Sequence, residues 1–91
     1  MNISQDFFDY VQESGYNLYR SERACHMSNK GKYLVMFDDG DMHFTIDGQT
    51  ICMYKNVNRM SLFTFALLLH AIGAVDMKEN FRKVKTGEVT V

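Results

Sequence analysis

The 91-residue sequence contains no proline, no internal repeat and no low-complexity segment. Proline is the commonest marker of a linker between domains, so nothing in the composition divides the chain. A chain of this length can bury the core of one domain and is too short for two. The sequence therefore predicts a single domain that spans residues 1–91.

Cysteine is scarce as well: the chain has only Cys25 and Cys52, and both lie in segments with strand-like composition. Two isolated thiols do not form the disulfide framework of a small secreted protein. The N-terminal segment MNISQDFFDY is acidic and lacks the apolar core of a signal peptide. We therefore expect a reducing, cytoplasmic location, with the two cysteines as a reduced pair or as two buried thiols.

No apolar run is long enough for a transmembrane helix. The longest, Leu62–Val75, is shorter than the roughly 18 residues that identify a membrane span, and its length favours a buried core helix. The formal net charge is −1, which provides no general attraction to nucleic acid or to anionic lipid. The hydrophobic share of 46% and the charged share of 23% are those of a globular protein and exclude wholesale disorder.

The most apolar stretch, SLFTFALLLHAIGAV over residues 61–75, predicts the central helix of the fold. At 100° per residue its apolar side chains cover almost the whole circumference, whereas a surface helix needs an apolar stripe on one side only. Such a helix must be enclosed by its own domain, by a partner or by lipid. Its composition and length point to the first two.

A short helix is predicted over Ser4–Ser14. Ser4 can accept hydrogen bonds from the free amides of the first turn, and Gly15 is suited to end the helix. Its apolar stripe includes Phe7, Phe8 and Val11. The next segment, residues 17–27, is predicted to form one edge strand.

Three runs of β-forming residues then follow, at 33–37, 42–46 and 50–54. Asp39-Gly40 and Asp47-Gly48 between them are typical of two-residue type I′ hairpin turns. With both turns of that kind, the strands share one apolar face, made up of Tyr33, Val35, Phe37, Met42, Phe44, Ile46, Ile51 and Met53. The 61–75 helix is expected to pack on that face.

These elements predict an α+β fold: an antiparallel meander of three to four strands, packed on a central apolar helix and flanked by a short N-terminal helix. Residues 76–91 fit either a second helix over about 77–84 or a final strand at GEVTV.

The candidate metal ligands are too few and too widely spaced for a structural metal site. Cys25 and His26 are adjacent and should point to opposite faces of a strand, while His43 and Cys52 are predicted cross-strand neighbours. Two ligands do not close a tetrahedral zinc site, and the acidic turn FDDGD is too short for a calcium loop. We expect no metal and no cofactor.

Catalytic motifs are lacking too. The sequence has no phosphate-binding loop, no dinucleotide-binding glycine pattern and no nucleophile elbow. His43 and Cys52 have the side chains of a base and a nucleophile, but nothing marks an oxyanion hole or a third, orienting group. The sequence therefore predicts a protein that is not an enzyme.

The apolar inventory instead suggests a protein-binding module. One sheet and one short helix cover about two sides of the 61–75 helix, so part of the strip formed by Phe63, Leu67, His70 and Ala74 should remain at the surface. Seven methionines add adaptable apolar surface. We expect a protein partner and homodimerisation through this helix. In type, the chain resembles the small accessory proteins with which bacteriophages inhibit or modulate host proteins.

The alternative is a small nucleic-acid-binding module. Its basic segment would be Lys78, Arg82, Lys83 and Lys85, which can contact phosphate. Tyr19, Tyr33 and Tyr54, on or near the predicted sheet, would provide surfaces for base stacking.

Overall fold

The computed structural model describes residues 3–76, which form an antiparallel sheet and two α-helices. The elements in chain order are α1 (Gln5–Glu13), β1 (Asn17–Arg20), β2 (Ala24–Asn29), β3 (Lys32–Phe37), β4 (Met42–Ile46), β5 (Gln49–Tyr54), a 3-10 turn (Val57–Arg59) and α2 (Leu62–Ala71). The five strands follow one another in space as they do in sequence, so the sheet is a meander. The predicted α+β fold is confirmed.

Helix α1 begins and ends where the sequence predicts. The Ser4 hydroxyl caps its N-terminus by accepting from the Asp6 amide, at 3.4 Å. The helix ends at the Ser14 cap, and Gly15 follows with φ of +103°, a conformation that costs glycine little. Its buried side is formed by Phe7, Phe8, Tyr10 and Val11.

The sheet has five strands instead of three or four, because residues 17–27 fold into a hairpin and not into one edge strand. Strands β1 and β2 pair antiparallel, and the Ser21 amide donates to the Ala24 carbonyl at 2.9 Å to close the turn. Lys30 and Gly31, both with positive φ, form the next two-residue turn.

The predicted register between β3 and β4 is wrong by one residue. Asp38, Asp39 and Gly40 form a three-residue loop, in which the Gly40 amide donates to the Phe37 carbonyl at 2.9 Å. Gly40 has φ of +95°, as the last residue of such loops requires. Met36, and not Phe37, therefore lies opposite Met42. A shift of one residue exchanges the two faces of β3.

The second turn is correct, but the pairing beyond it is not. Asp47 and Gly48 have φ of +49° and +82° and form the expected two-residue turn, with Ile46 opposite Gln49. An irregularity between Phe44 and Thr45 then shifts the register, as a β-bulge does. Cys52 consequently lies opposite Phe44, and the faces of β5 are exchanged beyond the bulge.

The face of the sheet that meets the helices, called the inner face here, therefore differs from the predicted one. Its central residues are fully buried: Cys25, Met27, Leu34, Met36, Met42 and Phe44. They share one core with the buried sides of α1 and α2. Only the β4 members of the predicted apolar face, Met42, Phe44 and Ile46, point inward.

Helix α2 is shorter than the predicted 61–75. The Ser61 hydroxyl caps it by accepting from the Thr64 amide at 3.1 Å. Beyond the Ile72 cap, Gly73 has φ of +85° and its amide donates to His70, while the Ala74 amide donates to Leu69. These two bonds form a Schellman motif, which ends the helix before residue 75. The structure describes the chain as far as Asp76. The second helix and the final strand predicted as alternatives for 76–91 therefore fall outside the described residues.

Candidate functional site

The predicted neighbours His43 and Cys52 lie on opposite faces of the sheet. His43 pairs with Met53, and Cys52 pairs with Phe44 on the inner face. The bulge between β4 and β5 therefore separates His43 from Cys52, the side chains considered as base and nucleophile. Among residues 3–76, no group of three or more His, Cys, Asp or Glu side chains is placed to hold a metal ion.

Cys25 and Cys52 are free thiols. Burial raises the pKa of Cys25, and the charge of Arg20 opposes this rise in pKa. Burial also raises the pKa of Cys52, against a hydrogen bond with Tyr54 that lowers it. A thiol with a raised pKa is a poor nucleophile at neutral pH, so neither cysteine resembles a catalytic one.

The structure places three of the four predicted partner-binding residues along one side of α2. Phe63 is 51% exposed, Leu67 is half-buried and His70 is exposed. Ala74 does not belong with them: it lies beyond the end of the helix and is buried, and its carbonyl accepts the Tyr16 hydroxyl. We call Phe63, Leu67 and His70 the helix stripe.

The basic residues predicted to contact nucleic acid, Lys78, Arg82, Lys83 and Lys85, lie outside the described part of the chain. The three tyrosines proposed for stacking do not share a surface. Tyr19 pairs with His26, while Tyr54 lies opposite Met42 on the inner face, packed against the core.

A second candidate surface, which the sequence did not predict, is the face of the sheet opposite the helices. One row of cross-strand partners crosses all five strands: Tyr19, His26, Val35, His43 and Met53. A second row lies beside it: Asn17, Ser28, Tyr33, Thr45 and Thr50. We call these the first row and the second row, and together the outer sheet face.

The first row carries no charged Asp, Glu, Lys or Arg, and its members at the two edge strands are exposed. Tyr19 is 69% exposed on edge strand β1, and Met53 is 66% exposed on edge strand β5. Ile51, at the bulge, is 49% exposed. At the centre, Val35 is only 8% exposed yet lies outside the core cluster. None of the side chains in the core cluster belongs to this face, so α1 and α2 both pack on the other side of the sheet.

Hydrogen bonds hold the histidine of β2 in place. The His26 Nδ1 atom is hydrogen-bonded to the Tyr33 hydroxyl, and its Nε2 atom lies 3.0 Å from the Ser21 Oγ atom. Ser21 in turn donates to the Ala24 carbonyl at 3.2 Å, so His26 is linked through Ser21 to the turn between β1 and β2. Contacts at both nitrogen atoms thus fix the orientation of the His26 imidazole ring in the outer sheet face.

The second histidine is held by packing. His43 contacts Phe37 edge to face, with the ring centres 5.0 Å apart.

The sequence contained a signal for the outer sheet face. The DDGD segment is as compatible with a three-residue loop at 38–40 as with a two-residue turn. The three-residue loop places Val35 and Phe37 on the side of the sheet opposite the helices.

No protein-family model matches the chain, and no curated protein or solved structure shows significant similarity to it. In residues 3–76, no helix has both the length and the apolar character needed to cross a bilayer. The helix stripe and the outer sheet face are therefore the two candidate functional surfaces.

Proposed function

We propose that the protein is a small, non-enzymatic module that binds another protein through the helix stripe. The observation that carries this proposal is the exposure of Phe63, 51% of whose surface is open on a helix that buries Phe65 and Leu69 on its other side. Aromatic side chains of this size dominate interface energetics, and they are frequent anchors in partner pockets.

The spacing of the stripe supports a particular mode of binding. Phe63, Leu67 and His70 stand at positions i, i+4 and i+7 of α2. Helices that insert into an apolar groove of a partner use anchors at this spacing. Three side chains on a ten-residue helix form too small a surface for an extended flat interface, so a concave partner fits better.

The setting we propose is cytoplasmic, because the two free thiols suit a reducing compartment. In type, the role would be that of an inhibitor or modulator of a host protein, of the kind that bacteriophages encode. Such proteins act through a binding surface, and the helix stripe is an exposed surface of this kind.

Affinity capture with three baits tests the proposal. Proteins from the native host should be retained by the wild type and by Met53→Asp, a control on the far side of the sheet, and lost with Phe63→Asp. Binding of a captured protein should weaken at least about tenfold for Phe63→Asp, as expected for a buried aromatic anchor. Equal capture by all three baits would rule out the helix stripe as the binding site.

The second candidate function is nucleic-acid binding through Lys78, Arg82, Lys83 and Lys85. The observation that favours it is that Tyr19 and Tyr33 share the outer sheet face, where bases can stack. Anisotropy of a labelled single-stranded oligonucleotide at low salt tests it, with the triple variant Arg82→Glu, Lys83→Glu, Lys85→Glu. The hypothesis predicts binding that the triple variant loses; no binding by the wild type would refute it.

A further inference from the structure

We propose that the outer sheet face is a homodimer interface, on which a second copy of the chain packs its own outer sheet face. This inference does not rest on the function proposed for the helix stripe, because the two surfaces lie on opposite sides of the sheet. It also places self-association on a different element from the helix that the sequence suggested.

The lack of charged side chains in the two rows favours a second copy of the chain as the partner of this face. The ten residues of the two rows include no Asp, Glu, Lys or Arg. A nucleic acid would find no cation in these rows to neutralise its phosphates. A strongly charged protein surface would lose its hydration there without gaining an ion pair. Two copies of an uncharged face meet without either cost, and the net charge of −1 adds little repulsion.

The shape of the face is the second argument. An antiparallel sheet with helices on one side and apolar side chains on the other can bury its second face against another sheet, about 10 Å away, as in a β-sandwich. The first row has its most buried member, Val35, on the central strand β3. The exposed members, Tyr19 and Met53, lie at the two edges.

Two-fold symmetry makes this row self-complementary. With the axis through Val35 and along the strands, Tyr19 of one copy faces Met53 of the other, and His26 faces His43. With the axis along the row, each residue faces its own copy. Both arrangements place apolar against apolar and histidine against histidine, which is what an isologous contact requires.

The area of the face sets the expected strength. Five strands about 4.8 Å apart and four to six residues long give the outer side of the sheet an area of about 450 Å² in each copy. Two such faces bury about 900 Å², which is in the range of weak, transient contacts. We therefore expect a weak, concentration-dependent dimer with a dissociation constant in the micromolar range or above.

Sedimentation equilibrium of the full chain near neutral pH, from micromolar to millimolar concentration, tests the proposal. The wild type should move from monomer to dimer. Met53→Asp should raise the dissociation constant at least about tenfold, because it places a charge in an apolar contact. Tyr19→Ser is a second variant at the other edge. Both residues are more than 60% exposed, so the fold should persist, and circular dichroism checks this.

Phe63→Asp, on the helix stripe, is the matched control and should dimerise like the wild type. A wild type that stays monomeric up to millimolar concentration would overturn the proposal. So would a dimer that survives both Met53→Asp and Tyr19→Ser, or one that Phe63→Asp dissociates. Because the capture experiment uses Phe63→Asp and Met53→Asp in the opposite roles and with a different readout, failure of the partner proposal leaves this result intact.

Discussion

At the residue scale, the phenol of Tyr16 connects the end of the first helix to the end of the second. Tyr16 is 2% exposed, and its hydroxyl donates to the carbonyl of Ala74 at 2.6 Å, across 58 residues of chain. Burial raises its pKa to about 12. The bond holds the segment that follows the Schellman motif against the start of β1.

We predict that Tyr16→Phe lowers the free energy of unfolding by about 1–3 kcal/mol, because the buried Ala74 carbonyl loses its donor. Urea denaturation at neutral pH measures the loss. Tyr19→Phe removes an exposed hydroxyl and should change the stability by less than about 0.5 kcal/mol. Equal effects of the two changes would mean that the bond to Ala74 contributes little.

The same phenol also makes stability depend on alkaline pH. An unfolded tyrosine loses its proton near pH 10, whereas folded Tyr16 keeps it to about pH 12, so the native state binds more protons in that interval. Its contribution is complete below pH 10 and is lost as the pH rises towards 12. The stability of Tyr16→Phe should therefore decline less steeply above pH 10, which denaturation at several pH values will show.

At the scale of the element, Phe65 joins α2 to α1. Its ring stacks on Phe7 with the centres 4.3 Å apart, and meets Tyr10 edge to face at 6.5 Å. The ring is fully buried, whereas Phe63 on the same helix is half exposed. The two phenylalanines thus offer a matched pair in one helix.

We predict that Phe65→Ala lowers the free energy of unfolding by about 3–5 kcal/mol, because it opens a cavity between the helices. Phe63→Ala should cost about 1 kcal/mol or less, as expected for a surface position. Phe65→Leu should lie between them and keeps the measurement possible if the alanine variant unfolds. Chemical denaturation of the three variants tests this, and similar losses at 63 and 65 would contradict the packing described.

Most of the elements were predictable because their local signals agree, but the hairpin of β1 and β2 was predicted as a single strand. Ser4 and Gly15 bound α1, and the Asp47-Gly48 turn fixes the start of β5. The register was not predictable in the same way. DDGD fits both a two-residue and a three-residue loop, and the bulge beside Thr45 has no marker in the sequence. One residue at each place decides which side of a strand is buried.

The two candidate surfaces also differ in how far the sequence predicts them. The helix stripe was predictable in part, because Phe63 and Leu67 follow from helical periodicity alone. Ala74 was misplaced, since the helix was expected to continue past Gly73. The outer sheet face was not predictable without the correct register, which turns His26, Val35 and His43 to one side together.

At the scale of the whole molecule, the two surfaces lie on opposite sides of one sheet and can be occupied at once. The outer sheet face also contains two of the three histidines of the sequence. The titratable groups beside His26 are the phenols of Tyr19 and Tyr33. The titratable groups closest in sequence to His43 and to its partner Met53 are Asp41, just before β4, and Lys55, just after β5. The side chains of Asp41 and Lys55 form an ion pair at 3.3 Å.

The proposed dimer should therefore be sensitive to a charge near the centre of the outer sheet face. His43 lies in the first row, and a lysine in its place would bury its charge inside the contact. Sedimentation equilibrium of His43→Lys near neutral pH should show a dissociation constant at least about tenfold higher than that of the wild type. His70→Lys, on the helix stripe, should dimerise like the wild type. A His43→Lys variant that dimerises as tightly as the wild type would show that the first row lies outside the contact.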